Sequence, residues 1–387
     1  MKVLNFLSNG SVGGIEKQFL SIGNVPEYAQ IFVIISGAGT VSEAMAEKGM
    51  DIRDLTVSHK PGIFSNAYRI LRQAMKTRRI CLDEQISIIA SHHGSTDVYL
   101  LSILLKMLML GCKNVAFIRH FHSIFEEESF RDNNIQKHLY KRLYRVLIGI
   151  SIRMSDAVIA ISKASLSSFV REFSIPECKQ NIVYNCIDNS FFMESQHVRS
   201  SNDLIRLVYT GRLEKVKGVD KLLEALEILR KQMEIDFHLD IVGDGSERVG
   251  LQTLCDKLEL TGKVTFRGIQ NDVKPYLRNS DIFVHPAQCE EGFGISLVEA
   301  MAMGLICVVT PSGGMLEIIV DGKNGFISKD KSAEQIMQTL KKAIEALTGS
   351  NCKVIMENAQ KTAERFRIAE TVKGFAGVYK RVLDYAP

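Results

Sequence analysis

Two carboxylates, Glu291 and Glu299, are separated by the seven residues Gly292-Phe293-Gly294-Ile295-Ser296-Leu297-Val298, shortly after the apolar run Phe283-Val284-His285-Pro286-Ala287. The spacing puts Glu291 ahead of a helix and Glu299 about two turns inside it, so both side chains can accept hydrogen bonds from hydroxyls. Between them, Phe293, Gly294 and Ile295 sit where free backbone N–H groups and the helix dipole favour a diphosphate. An acid-rich helix start also serves as ordinary capping, and this run alone leaves both readings open. Upstream, Gly211-Arg212 and Lys217-Gly218 bracket a loop with two cations, which reads either as a phosphate clamp or as a solvated charged loop. The turn Val242-Gly243-Asp244-Gly245 permits close ligand approach.

Histidines gather at two strand ends. His92 and His93 follow Ile86–Ser91, and His120 and His122 follow Asn114–Ile118. Metal binding is one reading of four histidines, but no carboxylate accompanies them and no Asp-x-Asp motif occurs, so no metal is expected. Near the start, Ser8-Asn9-Gly10-Ser11-Val12-Gly13-Gly14-Ile15-Glu16 is a glycine loop between a strand and a helix. It lacks the G-x-G-x-x-G spacing, and the next strand ends in Ser36-Gly37 without a ribose-binding acid, which argues against a nicotinamide dinucleotide.

Positioning such groups takes alternating strands and helices. Val3–Leu7, Ile31–Ser36, Ile86–Ser91, Asn114–Ile118, Asp156–Ser162 and Ile182–Tyr184 have strand character. After the polar stretch 194–203 the pattern restarts with Leu204–Thr210, Phe237–Val242, Lys263–Phe266, Asp281–His285 and Ile306–Thr310. At 387 residues the chain exceeds the size of one core, so the expectation is α/β with two doubly wound Rossmann-like domains, 1–198 and 199–366. A terminal helix, 367–387, carries Val372, Phe375, Val378, Tyr379 and Val382 at helical spacing and can cap either domain, with a return to the first as the favoured reading.

Taken in order and spacing, Gly211-Arg212 with Lys217-Gly218, the Val242–Gly245 turn, Glu291 through Glu299-Ala300, and Gly313-Gly314 with Glu317 resemble the retaining family 4 glycosyltransferases of the GT-B fold. The resemblance spans nearly the whole chain and is strongest from about 205 to 330. It implies two domains facing across a cleft, with transfer of a hexose-type sugar from a nucleotide diphosphate donor, UDP-sugar favoured, to an acceptor hydroxyl with retention. The implied acceptor is a glycan or glycolipid of a bacterial envelope polysaccharide or lipopolysaccharide. It also implies no cofactor, the nucleotide sugar being substrate. Arg212 and Lys217 would neutralise the donor diphosphate, Glu299 hold the ribose, Glu291 the sugar hydroxyls, and Arg267-Gly268 border the nucleobase. Gly14 and Gly243 join this donor set, His120 is the active-site histidine with His122 its near rival, and Gly13, Glu16, His92 and His93 lie on the acceptor side. Leu316 replaces a usual Pro, and Cys186 a usual Gly. A nucleotide-sugar epimerase and a non-catalytic nucleotide-sugar sensor are the rival functions.

The formal net charge of +4 is too small for binding a nucleic-acid backbone, and the surplus lies in the first half. There Arg69, Arg72, Lys76, Arg78 and Arg79 mark segment 68–79, while Lys137, Lys141, Arg142, Arg145 and Arg153 mark 137–153, whose Leu139, Leu143, Val146, Leu147 and Ile150 form an apolar face. These segments read equally as anionic-membrane contacts or as core-packed helices with a solvated face. Eight scattered cysteines without a Cys-x-x-Cys pair, no signal-peptide core and no apolar run of membrane-spanning length indicate a cytoplasmic protein, with attachment to the inner face of the plasma membrane as its open alternative.

Overall fold

The computed structural model describes residues 1–7, 14–37, 39–57, 63–92, 96–112, 115–125, 135–192, 204–233 and 235–384. It divides into two units, 1–186 with 368–387, and 187–367. The first is built on seven parallel strands: β1 (Lys2–Leu7), β2 (Ala29–Ile34), β3 (Asp51–Asp54), β4 (Ile88–Ser91), β5 (Ala116–Phe121), β6 (Ala157–Ala160) and β7 (Gln180–Ile182), in the order β3-β2-β1-β4-β5-β6-β7. The connections are α1 (Gly14–Ile22), α2 (Thr40–Glu47), α3 (Ile63–Asp83), α4 (Thr96–Leu108), α5 (Ile135–Met154) and α6 (Lys163–Phe173). Alternation along β1 splits its side chains between two layers. Leu4 and Phe6 join a core with α3 and α4, while Val3 and Leu7 face Phe19 of α1.

The second unit has six parallel strands, β8 (Ile205–Thr210), β9 (Phe237–Val242), β10 (Val264–Gly268), β11 (Ile282–His285), β12 (Ile306–Val309) and β13 (Phe326–Ile327), in the order β10-β9-β8-β11-β12-β13. Its helices are α7 (Val219–Gln232), α8 (Arg248–Lys257), α9 (Lys274–Arg278), α10 (Ile295–Ala302), α11 (Ala333–Thr348) and α12 (Cys352–Ala363). Two strands escape the sequence pattern, and both lie on sheet edges. β3 reads Asp-Ile-Arg-Asp and β13 has two residues, as suits edges that must not recruit other chains.

Strand order reverses between β1 and β4 in the first sheet and between β8 and β11 in the second, and crevices at such points receive ligands. The first boundary falls at Cys186/Ile187, ahead of the expected 198/199. Ile187 N donates to Phe366 O at 3.1 Å, Lys274 Nζ reaches Ser190 Oγ at 3.1 Å, and the Arg367 guanidinium covers the Phe192 ring at 3.9 Å. The chain returns to the first unit with α13 (Ile368–Asp384), whose Val372, Phe375, Val378 and Tyr379 are buried among Val3, Phe32 and Cys186. Burial of each large side chain contributes about 1.5–3 kcal/mol. Cys186, where a glycine is usual, thus fills core volume, and Leu316 is exposed.

The two basic helices differ from their sequence reading. In α5, Leu147 turns inward with Ile148 and Ile152, but Leu143, Val146 and Ile150 are exposed beside Arg142 and Arg153. In α3, Arg69 is buried and bonded to Asp97 Oδ2 at 2.8 Å, while Tyr68, Leu71 and Met75 are exposed with Arg72 and Lys76. Among the described residues no helix is long and apolar enough to cross a membrane.

Candidate functional site

In the second unit the loops after β8 and β11 are tied together at the switch point. Gln288 N donates to Val216 O at 2.8 Å, and a Cβ on Gly218 would meet Pro286 O at 2.1 Å. This brings Lys217 to Glu291, Nζ to Oε1, at 2.5 Å. His285, the last residue of β11, adds its Nε2 to the same oxygen at 3.2 Å, and since a carboxylate only accepts, that nitrogen carries the proton. Its Nδ1 faces Ser296 Oγ at 3.4 Å in the first turn of α10. Burial by itself would raise the Glu291 pKa; the His285 bond and charge and the Lys217 ammonium overcome it and hold the carboxyl at about 2. The Glu291 backbone is pinned as well, its N–H donating to Ser312 Oγ at 2.8 Å and its carbonyl accepting from Gly314 N at 2.8 Å.

Gly294 precedes α10 with φ of 97°, a left-handed geometry that frees the first N–H groups of Ile295 and its successors from the preceding chain. Phe293 is buried against Phe366, ring centroids 5.1 Å apart, so only its main chain is offered to a ligand. Glu299 stands one turn into α10, half-buried. Arg212 points outward, bonded to Glu214 Oε1 at 2.6 Å. Arg267 is held by Asp240 Oδ1 at 2.6 Å on edge strand β10. Gly243 has a structural reason of its own, since a Cβ there would lie 1.9 Å from Gly211 O.

In the first unit, β5 runs on through Phe121, which corrects the placement of His120 beyond the strand end. His120 is a buried strand residue whose ring lies 5.4 Å from that of Phe375, and its Nε2 has no hydrogen-bond partner. Burial first, then the Arg119 charge, lowers its pKa to about 3. His122 is the first residue past the strand, half-buried, with Nε2 2.9 Å from Nδ1 of His92. His92 itself is buried after β4 and its pKa is well below the imidazole range, through burial and then the neighbouring His120, His122 and Arg119. Glu16, in the first turn of α1, is buried and its carboxyl is raised by desolvation. Gly14 opens α1, whereas Gly13 and His93 lie outside the described residues.

Two family models match consecutive halves of the chain, one described as Glycosyltransferase Family 4 over residues 13–191 and one as Glycosyl transferases group 1 over residues 193–362. The chain belongs to the family 4 glycosyltransferases. An uncharacterized glycosyltransferase of Methanocaldococcus jannaschii is 28% identical over 74% of this chain and 72% of its own length. The N-acetyl-alpha-D-glucosaminyl L-malate synthase of Bacillus anthracis is 30% identical over 61% and 62%. Among solved structures, HepE of Anabaena in complex with UDP and glucose superimposes with a TM-score of 0.79 at 20% identity, over 98% of this chain and all of that one. The lipopolysaccharide outer core galactosyltransferase WaaB gives 0.73 at 18%, over 98% and 100%. The fold of this glycosyltransferase is thus GT-B, two parallel-sheet Rossmann-like domains.

Of the glycosyltransferase's expected donor residues, Lys217, Glu291, Gly294 and Ile295 meet at one switch point, while Arg212 and Arg267 are engaged by neighbouring acids. His285, Ser296 and Ser312 join the site without a sequence motif that marks them. His285 sits in an apolar strand run, and only its place as the last residue of β11, before a loop carrying a carboxylate, signals a polar task.

Proposed function

We propose that this glycosyltransferase moves a hexose-type sugar from a UDP-sugar to an acceptor hydroxyl with retention and without a metal. The Lys217–Glu291–His285 cluster beside the α10 N-terminus carries the reading, because it combines a cation, a poised carboxylate and free N–H groups at one strand-end crevice. The bound UDP and glucose of HepE support the choice of donor. On donor binding, Lys217 transfers from Glu291 to the diphosphate, and Glu291, still held by His285, accepts hydrogen bonds from sugar hydroxyls. Arg212 turns from Glu214 to the same phosphates, and Glu299 takes the ribose. The acceptor oxygen bonds to the anomeric carbon on the face that the diphosphate leaves, and its proton passes to the departing phosphate oxygen. Lys217, Arg212 and the α10 N–H groups stabilise the charge that develops there.

For the first unit we assign the sugar-facing histidine to His122, with the buried His120 behind it, and the acceptor side to His92 and Glu16. The acceptor is a glycan or lipid-linked glycan of a bacterial envelope, a reading supported by WaaB among the fold relatives. The exposed Leu143, Val146 and Ile150 of α5 and Tyr68, Leu71 and Met75 of α3, each interleaved with basic residues, favour attachment to an anionic bilayer over a solvated face, at the inner surface of the plasma membrane. Melting curves with UDP-, GDP-, ADP- and CDP-sugars test the donor: a shift with UDP-sugars alone supports it, and the anomeric coupling of the product by NMR then reads retention. No shift with any nucleotide in a folded sample would overturn the reading.

A further inference from the structure

Three imidazoles converge at the carboxyl ends of β4 and β5. One nitrogen from each of His92, His120 and His122 lies within 4.8 Å of the others. The polarity of His92 is set by a chain of bonds behind it. Gly23 O can only accept, so the Gln30 amide nitrogen faces it at 3.1 Å and Gln30 Oε1 accepts from Asn5 Nδ2 at 3.4 Å. Asn5 Oδ1 then faces His92 Nε2 at 3.2 Å, which places the proton on Nε2 and leaves Nδ1 as an acceptor that takes the His122 Nε2–H at 2.9 Å, the proton an ion would displace. A histidine that donates its far N–H to a fixed carbonyl and presents its near nitrogen to other imidazoles has the arrangement of a metal ligand. His120 contributes a second, independent sign, a fully buried Nε2 with no hydrogen-bond partner.

We propose that His92, His120 and His122 form a binding site for an imidazole-preferring divalent ion of the Zn2+ class, with an open fourth position. Zn–N bonds of about 2.0–2.1 Å set neighbouring nitrogens at roughly 3.4 Å in a tetrahedral site, so the edges of the trio, none longer than 4.8 Å, close by at most about 1.4 Å while the 2.9 Å His92–His122 edge opens by about 0.5 Å. All three ligands are nitrogen, and among the described residues no carboxylate joins them, which selects against Mg2+ and Ca2+. Arg119 opposes the ion's charge, but its guanidinium faces the other layer, bonded to Ser91 Oγ at 2.7 Å and lying over the Tyr99 ring at 3.9 Å. The site shares His122 and His92 with the proposed sugar and acceptor positions, while the proposed transfer step itself uses no ion. Its consequence rests on the assignment of His122, because coordination removes that histidine from the strand mouth and makes the ion an inhibitor.

Titration of the full chain with Co2+, followed by its ligand-field absorption and by displacement with Zn2+, tests the site. The expected result is one saturable equivalent, weakened about tenfold or more in His92→Ala and His122→Ala and about 10- to 100-fold in Asn5→Ala, where only the outer partner is lost. His120→Phe keeps the core filled and should also abolish the tetrahedral spectrum; if it fails to fold, His122→Ala at its half-buried position decides. Equal Co2+ affinity in wild type and His122→Ala, or no saturable binding by wild type, would overturn the proposal. A UDP melting shift recorded on the same samples reads the second unit's residues, so failure of the nucleotide site shows separately from failure of this one.

Discussion

Lys217 Nζ and Glu291 Oε1 are 2.5 Å apart, so the cation expected to meet the donor diphosphate is already neutralised by the carboxylate expected to meet the sugar. Each partner covers the other while the site waits for a ligand that takes both. A buried charge left alone is costly, and the pairing removes that cost without filling the crevice.

Glu291→Gln should therefore lower stability as well as turnover. The folded carboxyl titrates near 2, below its ordinary value of 4.5, so its stabilisation is fully present above pH 4.5 and disappears as pH falls toward 2. The difference between wild type and variant is expected to be on the order of 3 kcal/mol at neutral pH. Denaturant unfolding at pH 7, 4 and 2.5 measures it. A difference that does not shrink with acid refutes the assignment of that energy to the ionised pair.

Glu299→Ala should weaken the nucleotide-induced melting shift with little change in the ligand-free melting point. Glu291→Ala should act mainly on kcat once its stability loss is allowed for. His285→Ala, removing the bond to Glu291 Oε1, should lower kcat while the nucleotide shift persists. Wild-type kinetics in the His285 variant would deny it a positioning part.

Gly243→Ala should destabilise the second unit by about 2 kcal/mol or more, because the new Cβ would lie 1.9 Å from Gly211 O and the backbone φ of 140° disfavours a side chain. Thermal unfolding checks this. An unchanged melting point would return Gly243 to a purely ligand-directed explanation.

Leu143→Glu with Val146→Glu should release the protein from phosphatidylglycerol vesicles in a sedimentation assay while the melting point moves little, since both side chains are exposed. Raising salt should weaken wild-type binding. Equal sedimentation with neutral vesicles, or no effect of the double variant, argues that these helices face only water.

Much of the second unit was legible along the chain. β9 occupies the expected Phe237–Val242, and the Glu291-to-Glu299 spacing placed one carboxylate at the mouth of α10 and the other within it, because periodicity and glycine positions are local properties. Two kinds of feature were not legible. Edge strands β3 and β13 lack apolar alternation, since an edge is stabilised by its neighbour's hydrogen bonds and protected by polarity. Polar residues in core runs were the other kind: His285 reads as a strand position and His120 as a residue past its strand, and nothing local reveals what a buried imidazole meets.

Sequence alone determined the α/β alternation, the two-part chain, the family and the set of charged residues near the strand ends, all of which depend on residue type and spacing over a few turns. Tertiary structure alone decided that Lys217 pairs with Glu291 across 74 positions and that His92 faces His122 across 30. It also decided that β5 swallows His120, that Leu147 turns inward while Leu143 and Val146 turn out, and that α13 completes the core of the first unit. Each of these follows from which surface a residue is pressed against, and that is set by parallel crossovers joining strands far apart in the chain.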